Sequence, residues 1–94
     1  VRTKNAKSIT QAEHDHIERV KLLPCGVCDG GGGYGAPSDA HHIVQGQHFT
    51  VIPLCRDCHQ GQFNGLHGQG RMWAVMKKTE MSVLNETIGK LYGR

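Results

Sequence analysis

The chain has little from which to build a conventional core. Only 37% of its 94 residues are apolar and 5% aromatic. A domain this short leans on a metal, a disulfide or a partner more than one of ~150 residues does. Long hydrophobic runs are missing too: none approaches the ~18 residues of a membrane span, which excludes a transmembrane helix. Val1-Arg2-Thr3-Lys4 lacks the apolar stretch of a signal peptide, so a freshly exported precursor is not expected. The absence of an initial methionine is compatible with a processed terminus or a fragment. Strong charge of one sign is also lacking. The net charge of +3, histidines neutral, is a mild basic bias that suits a polyanionic partner without requiring one. Four cysteines in 94 residues fall short of the ~8% typical of disulfide scaffolds. As thiols in a reducing, cytoplasmic compartment they point to metal.

Glycine, by contrast, is abundant. Thirteen residues are about twice the usual ~7%, and they cluster between residues 26 and 70. That middle cannot be one continuous helix or a regular sheet. Residues 1–9 are polar and basic without a period and read as a mobile arm. Thr10-Gln11-Ala12-Glu13 fits a capping box opening a helix over 11–22, with Ile17 and Val20 at helical spacing before Pro24. His14 and His16 lie on it, outside any ligand-like spacing, as surface or packing residues. The run Gly30 to Gly35 contains Gly-x-Gly-x-x-Gly, but no strand precedes it and no periodic helix follows, so it reads as a connector rather than a nucleotide loop. Ala40–Val44 and Phe49–Leu54 read as a hairpin, with Pro53 demoting its strand to an edge. A short helix starts within 55–58 and runs to about 62 or 63. Two helices follow a glycine-rich loop: 71–77, with a core stripe of Met72, Trp73 and Met76, and 80–91, capped by Thr79, with Leu84, Ile88 and Leu91 on one face.

Cys25-x-x-Cys28 and Cys55-x-x-Cys58 are the strongest chemical signal. Two intervening residues let both thiolates of a pair reach one ion, and two pairs close a tetrahedron, the geometry of structural zinc. Four sulfurs leave no place for water. A redox Cys-x-x-Cys is disfavoured because two pairs are present and no thioredoxin-like βαβ pattern surrounds them. The spacer of 26 residues between the pairs exceeds that of common zinc ribbons, so the knuckles bracket something folded. His41, His42, His59 and His67 remain. His41-His42 lies on the first bracketed strand and His59 follows the last cysteine. Strand and helix would then offer imidazoles to a second, open metal site, with water and substrate completing it. The alternative is that one histidine replaces a cysteine on the structural zinc and the others are solvated.

The order Cys-x-x-Cys, His41-His42-Ile43, then Ile52-Pro53-Leu54-Cys55-x-x-Cys58-His59 resembles the HNH endonuclease superfamily, the ββα-metal nucleases, and most closely its zinc-knuckled kind. Asn64-Gly65-Leu66-His67 and the two last helices are similar to phage recombination-enhancement (Ref-like) nucleases. The resemblance spans roughly residues 17–92 and implies a small α+β domain with a zinc-knuckled ββα core over 25–67, one helix before it and two after. It implies that His41 and His59 bind a catalytic metal, that His42 is the general base, and that His67 is a further ligand or phosphate contact. The family's middle asparagine, which holds the base imidazole, is replaced here by Thr50. That leaves the orientation of His42 open, with Asn64 as a possible substitute. DNA is the implied substrate, with a recombination or DNA-coating protein as a possible partner, a dimer if both strands are cut, and a phage-encoded origin in a bacterial cytoplasm.

The chemistry of the residues agrees. A neutral imidazole of pKa ~6.5 suits a base near pH 7, and one divalent ion can polarise a phosphate. Histidine ligation favours Zn²⁺, Ni²⁺, Co²⁺ or Mn²⁺ over a site served by Mg²⁺ alone. Adjacent strand residues face opposite ways, so His41 and His42 can serve one phosphate only if the strand is bulged or ends there. Among the basic residues, Arg56 and Arg71 sit nearest the histidines in sequence and are the expected DNA contacts. No recognition helix is visible, so sequence specificity should be low and affinity salt-dependent. The competing reading is a non-catalytic zinc module that binds nucleic acid or protein.

Overall fold

Four helices surround a single two-stranded antiparallel sheet in this computed structural model, which describes residues 9–93. The expected basic arm lies outside the described residues except for exposed Ile9. Helix α1, Gln11–Lys21, opens on Thr10, whose side chain accepts from the Glu13 amide while Glu13 reaches back to the Thr10 amide. Strands β1, Asp39–His42, and β2, Val51–Leu54, pair in the register Asp39 to Leu54, Ala40 to Pro53, His41 to Ile52 and His42 to Val51. Helix α2 spans Arg56–Gln60, α3 Arg71–Met76 and α4 Glu80–Tyr92. Among the described residues no helix is long and apolar enough to cross a membrane.

The strands are shorter than the sequence pattern suggests. Pairing ends at His42 and Val51, because residues 43–50 turn through Gly46 at φ 86°, with the Gln47 amide on the Val44 carbonyl. Pro53 does lie on an edge, since both strands of a two-stranded sheet are edges. Its carbonyl accepts from the Gly26 amide at 2.8 Å, tying the sheet to the first cysteine pair. Helix α2 stops at Gln60 rather than 62 or 63, because Gly61 adopts an extended conformation.

The core joins Cys25, Val27, Ile52, Leu54, Cys58, Trp73 and Val83. All four residues of β2 are buried, with α1 and α4 both packed on the sheet. Trp73 fills the core and donates from Nε1 to the Cys58 carbonyl at 2.9 Å. Met72 is half-buried, but Met76 is largely exposed, so the stripe on α3 is only partly core. On α4 the buried residues are Val83 and Thr87; of the expected face, Leu84 packs partly buried against the core and Leu91 is half-buried, while Ile88 is exposed. Thr87 can take a core position because its hydroxyl donates to the Val83 carbonyl at 2.7 Å, which removes the cost of burying it. Of the two α1 histidines, His14 is exposed, while His16 is buried with Nε2 3.1 Å from the Phe49 carbonyl.

Gly26 sits where the first cysteine turn meets α4, and a Cβ there would collide with the Val83 side chain. Replacing Gly26 with alanine should therefore destabilise the fold by about 1–3 kcal/mol, the usual cost of overpacking. Chemical unfolding checks this, and Val83→Ala in the same chain should recover part of the loss through direct coupling. Additive losses in the double variant would show that the contact is not the cause.

Candidate metal centres

Both cysteine pairs converge. One ligand atom from each of Cys25, Cys28, Cys55 and Cys58 lies within 4.8 Å of every other. The local chain explains this. Cys25 sits in a tight turn closed by Asp29 N–H on the Cys25 carbonyl and Cys25 N–H on the Gly30 carbonyl, both at 2.9 Å. Asp29 takes the left-handed conformation that closes it, with φ 62°. Cys55 is the N-cap of α2, so its sulfur accepts from the Cys58 amide at 3.3 Å, as the Cys25 sulfur accepts from Val27 at 3.4 Å. The bond from Val27 N–H favours the thiolate of Cys25.

Burial is the largest influence on the Cys25 thiol and raises its pKa, yet backbone hydrogen bonds from Cys28, Cys55 and Val27 outweigh it, and the net shift is downward. Cys28 and Cys58 are pushed up by burial and then by the neighbouring sulfurs. Four sulfurs this close cannot all ionise without a cation, whereas a divalent ion with a preference for sulfur would stabilise all four. The donor set fits a structural metal such as zinc.

A second group lies one residue further on. His41, His59 and His67 each present a ring nitrogen within 4.8 Å of the others, and their ring centroids are 5.0–5.3 Å apart. His41 comes from β1 and His59 from α2. His67 is brought in by the loop after α2, which folds back through Leu66 N–H on the Cys58 carbonyl and His67 N–H on the His59 carbonyl. Glycines make that return possible: a Cβ at Gly65 or Gly68 would collide with the backbone at Gly61.

Two carboxylates, neither singled out from the sequence, support this triad. Asp39 Oδ2 is 3.0 Å from His59 Nδ1, and Glu80 Oε2 is 2.7 Å from His41 Nε2. Each contact orients one ring and leaves its other nitrogen, Nε2 of His59 and Nδ1 of His41, as the lone-pair donor. The hydrogen bond from His59 holds the Asp39 carboxyl below the usual range, against its partial burial, with Arg56 adding to the effect. A signal for Asp39 did exist: residues two apart on a strand share a face, which places it beside His41. Glu80, 39 positions from its partner, had none. Changing Asp39 to asparagine should weaken metal binding at the triad about 10–100-fold while leaving the cysteine-bound metal in place. Competition with a chromophoric chelator measures both, and unchanged affinity would remove Asp39 from the account.

The triad opens into a cleft of about 640 Å³ lined by His41, His42, His59, His67, Glu80 and Gln60 among others. Because β1 ends at His42, both adjacent histidines reach this one cleft. Burial lowers the His42 pKa below the ordinary imidazole value, with His48 and His41 contributing. His42 Nε2 lies 3.0 Å from His48 Nδ1. Thr50 is turned elsewhere: its hydroxyl donates to the Gln47 carbonyl at 3.3 Å. The Asn64 amide donates to Asp57, so it does not substitute for the missing asparagine at His42. Arg56 borders the triad, its Nε 3.2 Å from the Asp39 oxygen that also meets His59, with the side chain 80% exposed. Arg71 lies over the Phe63 ring and bonds Gln69 instead.

No protein-family model matches the chain, and no curated protein or solved structure is significantly similar to it. What the fold and the sites define is therefore a class: a small α+β domain with a four-cysteine cluster able to hold a structural metal such as zinc.

Proposed function

We propose that the domain is a metal-dependent endonuclease of the HNH, or ββα-metal, kind that hydrolyses DNA phosphodiesters with low sequence specificity. The observation that carries this reading is the meeting of three imidazoles, His41, His59 and His67, beside a fourth, His42, in one open cleft. A purely structural zinc module needs the cysteines but has no use for a second histidine cluster braced by two carboxylates. The donor set suits Zn²⁺, Mn²⁺ or Ni²⁺ better than Mg²⁺. Such an ion, when bound, acts as a Lewis acid on the phosphoryl group and stabilises the leaving oxygen.

The chain supplies the rest. His42, neutral at pH 7, accepts the proton of the attacking water. Asp39 and Glu80 fix the rings of His59 and His41. Arg56, anchored on Asp39 and exposed, offers its guanidinium to a DNA phosphate beside the cleft. Arg71 offers a more distant contact. One such site cuts one strand, so a double-strand break requires a second copy, and a recombination or DNA-coating protein would direct the cut.

The test is to count metals and assay cutting on the same protein. Zinc-loaded chain is titrated with Mn²⁺, Ni²⁺, Zn²⁺ and Mg²⁺ while nicking of supercoiled plasmid and cleavage of single-stranded DNA are followed. The expected result is a second, exchangeable ion whose occupancy tracks cutting. One tightly held zinc, salt-sensitive DNA binding and no cleavage with any metal would establish the non-catalytic binding module instead.

A further inference from the structure

The family-like asparagine is absent, Thr50 faces the hairpin turn, and Asn64 is bonded to Asp57. Yet the His42 ring is held. Its Nε2 is 3.0 Å from His48 Nδ1, and the two rings meet edge to face at 5.1 Å between centroids and 85° between planes. Both side chains are half-buried. His48 stands on the turn joining β1 to β2, and that turn is itself fixed. Gln47 N–H donates to the Val44 carbonyl at 3.1 Å, the Thr50 hydroxyl donates to the Gln47 carbonyl, and Ile43 N–H donates to the Thr50 carbonyl at 3.2 Å.

From this geometry we infer that His48 is the positioning residue of the catalytic base, setting both the orientation and the tautomer of His42. The inference rests on the nuclease reading above. A neutral imidazole carries one ring proton. For His42 to take a proton from water through Nδ1, its own proton must sit on Nε2, where it is donated to His48 Nδ1. The opposite arrangement, with His48 donating, would occupy the Nε2 lone pair and leave Nδ1 protonated and useless as a base. His48 therefore has to act as an acceptor. Thr50 contributes indirectly, by bracing the turn that presents His48.

The experiment compares wild type, His42→Ala, His48→Ala and His48→Asn in Mn²⁺-dependent plasmid nicking. It is paired with ¹⁵N NMR of the His42 ring at pH 8, where ordinary imidazoles are neutral. Asparagine offers a carbonyl oxygen close to where Nδ1 sits, so it keeps the acceptor and loses the ring. The expected result is a kcat about 10–100-fold lower in His48→Ala with KM little changed, and most of it restored in His48→Asn. The NMR pattern should show the Nε2-protonated form in wild type and His48→Asn, and a mixture in His48→Ala. If His48→Ala cuts like wild type while His42→Ala is dead, or if the His42 tautomer ignores residue 48, the inference is overturned and the nuclease reading stands. If wild type fails to cut with every metal offered, the nuclease reading falls and takes this inference with it.

Discussion

Stripping metal from the four cysteines is expected to unfold the domain. With a strong chelator at pH 7, the helical circular dichroism and the cooperative melting transition should both be lost, and added zinc should restore them. The magnitudes decide this. Structural zinc contributes on the order of 10–16 kcal/mol in small peptides at neutral pH, as much as the entire ~5–15 kcal/mol by which a domain is folded. Cys25 and Cys58 are almost wholly buried and belong to the same apolar cluster as Ile52, Leu54 and Trp73. Without a cation, that cluster holds four sulfurs whose charges oppose one another. Burial and those neighbours push the Cys28 and Cys58 thiols up. Protons therefore compete with the metal for these two positions, and zinc affinity should fall as the pH is lowered. Cys58→Ser should behave like chelation, because it takes one of the four sulfurs out of the buried cluster. A metal-free protein with intact helices and a normal melt would show that the apolar core suffices.

Removing the base should be nearly as severe for activity and harmless to the fold. On the nuclease reading, His42→Ala lowers the nicking rate by about 10²–10⁴-fold, the usual contribution of a positioned base, with melting temperature and metal content unchanged. The pH profile gives a second readout. Protonation disables a base, so the rate falls on the acid side as His42 takes up its proton. Burial, then the His48 and His41 charges, hold its pKa below the ordinary ~6.5, and a cation at the triad lowers it further. Activity should thus persist to a lower pH than a free imidazole would allow. An acid limb centred above 6.5, or a residual rate in His42→Ala equal to wild type, would assign the base to another group.

Much of the architecture was legible in local chemistry. The Thr10 and Thr79 caps, the two cysteine turns and the approximate hairpin follow from residue type and spacing, which are short-range rules. The misses have long-range causes. That Val83 and Thr87 are buried, with Leu84 at the edge of the core and Ile88 exposed, depends on how α4 rotates against β2, and a threonine with a satisfied hydroxyl is invisible to an apolar pattern. At the candidate site, the grouping of His41, His59 and His67 is what the resemblance implies, and the structure brings a ring nitrogen of each together. Its supports were not read. Glu80 reaches His41 from the start of α4, and His48 returns to His42 only because the turn at Gly46 closes. Thr50 stood out as a substitution in a motif, yet its geometric part is to hold the turn. Of the two arginines chosen for proximity in sequence, only Arg56 meets a group that contacts the triad.

Cys58 and His59 are consecutive residues on α2, a helix of five residues. The two centres therefore stand in a hierarchy. An ion held at the His59 ring could leave while the sulfur cluster keeps its own, with Cys55 and Cys58 still holding the helix. The reverse order is denied, because a helix of barely more than one turn has no independent existence once Cys55 and Cys58 let go. A newly made chain must accordingly fill its sulfur site before the cleft exists. On the nuclease reading, the capacity to cut would be withheld until folding is complete, and an oxidant that attacks the exposed Cys28 sulfur would silence the cleft without touching a single histidine.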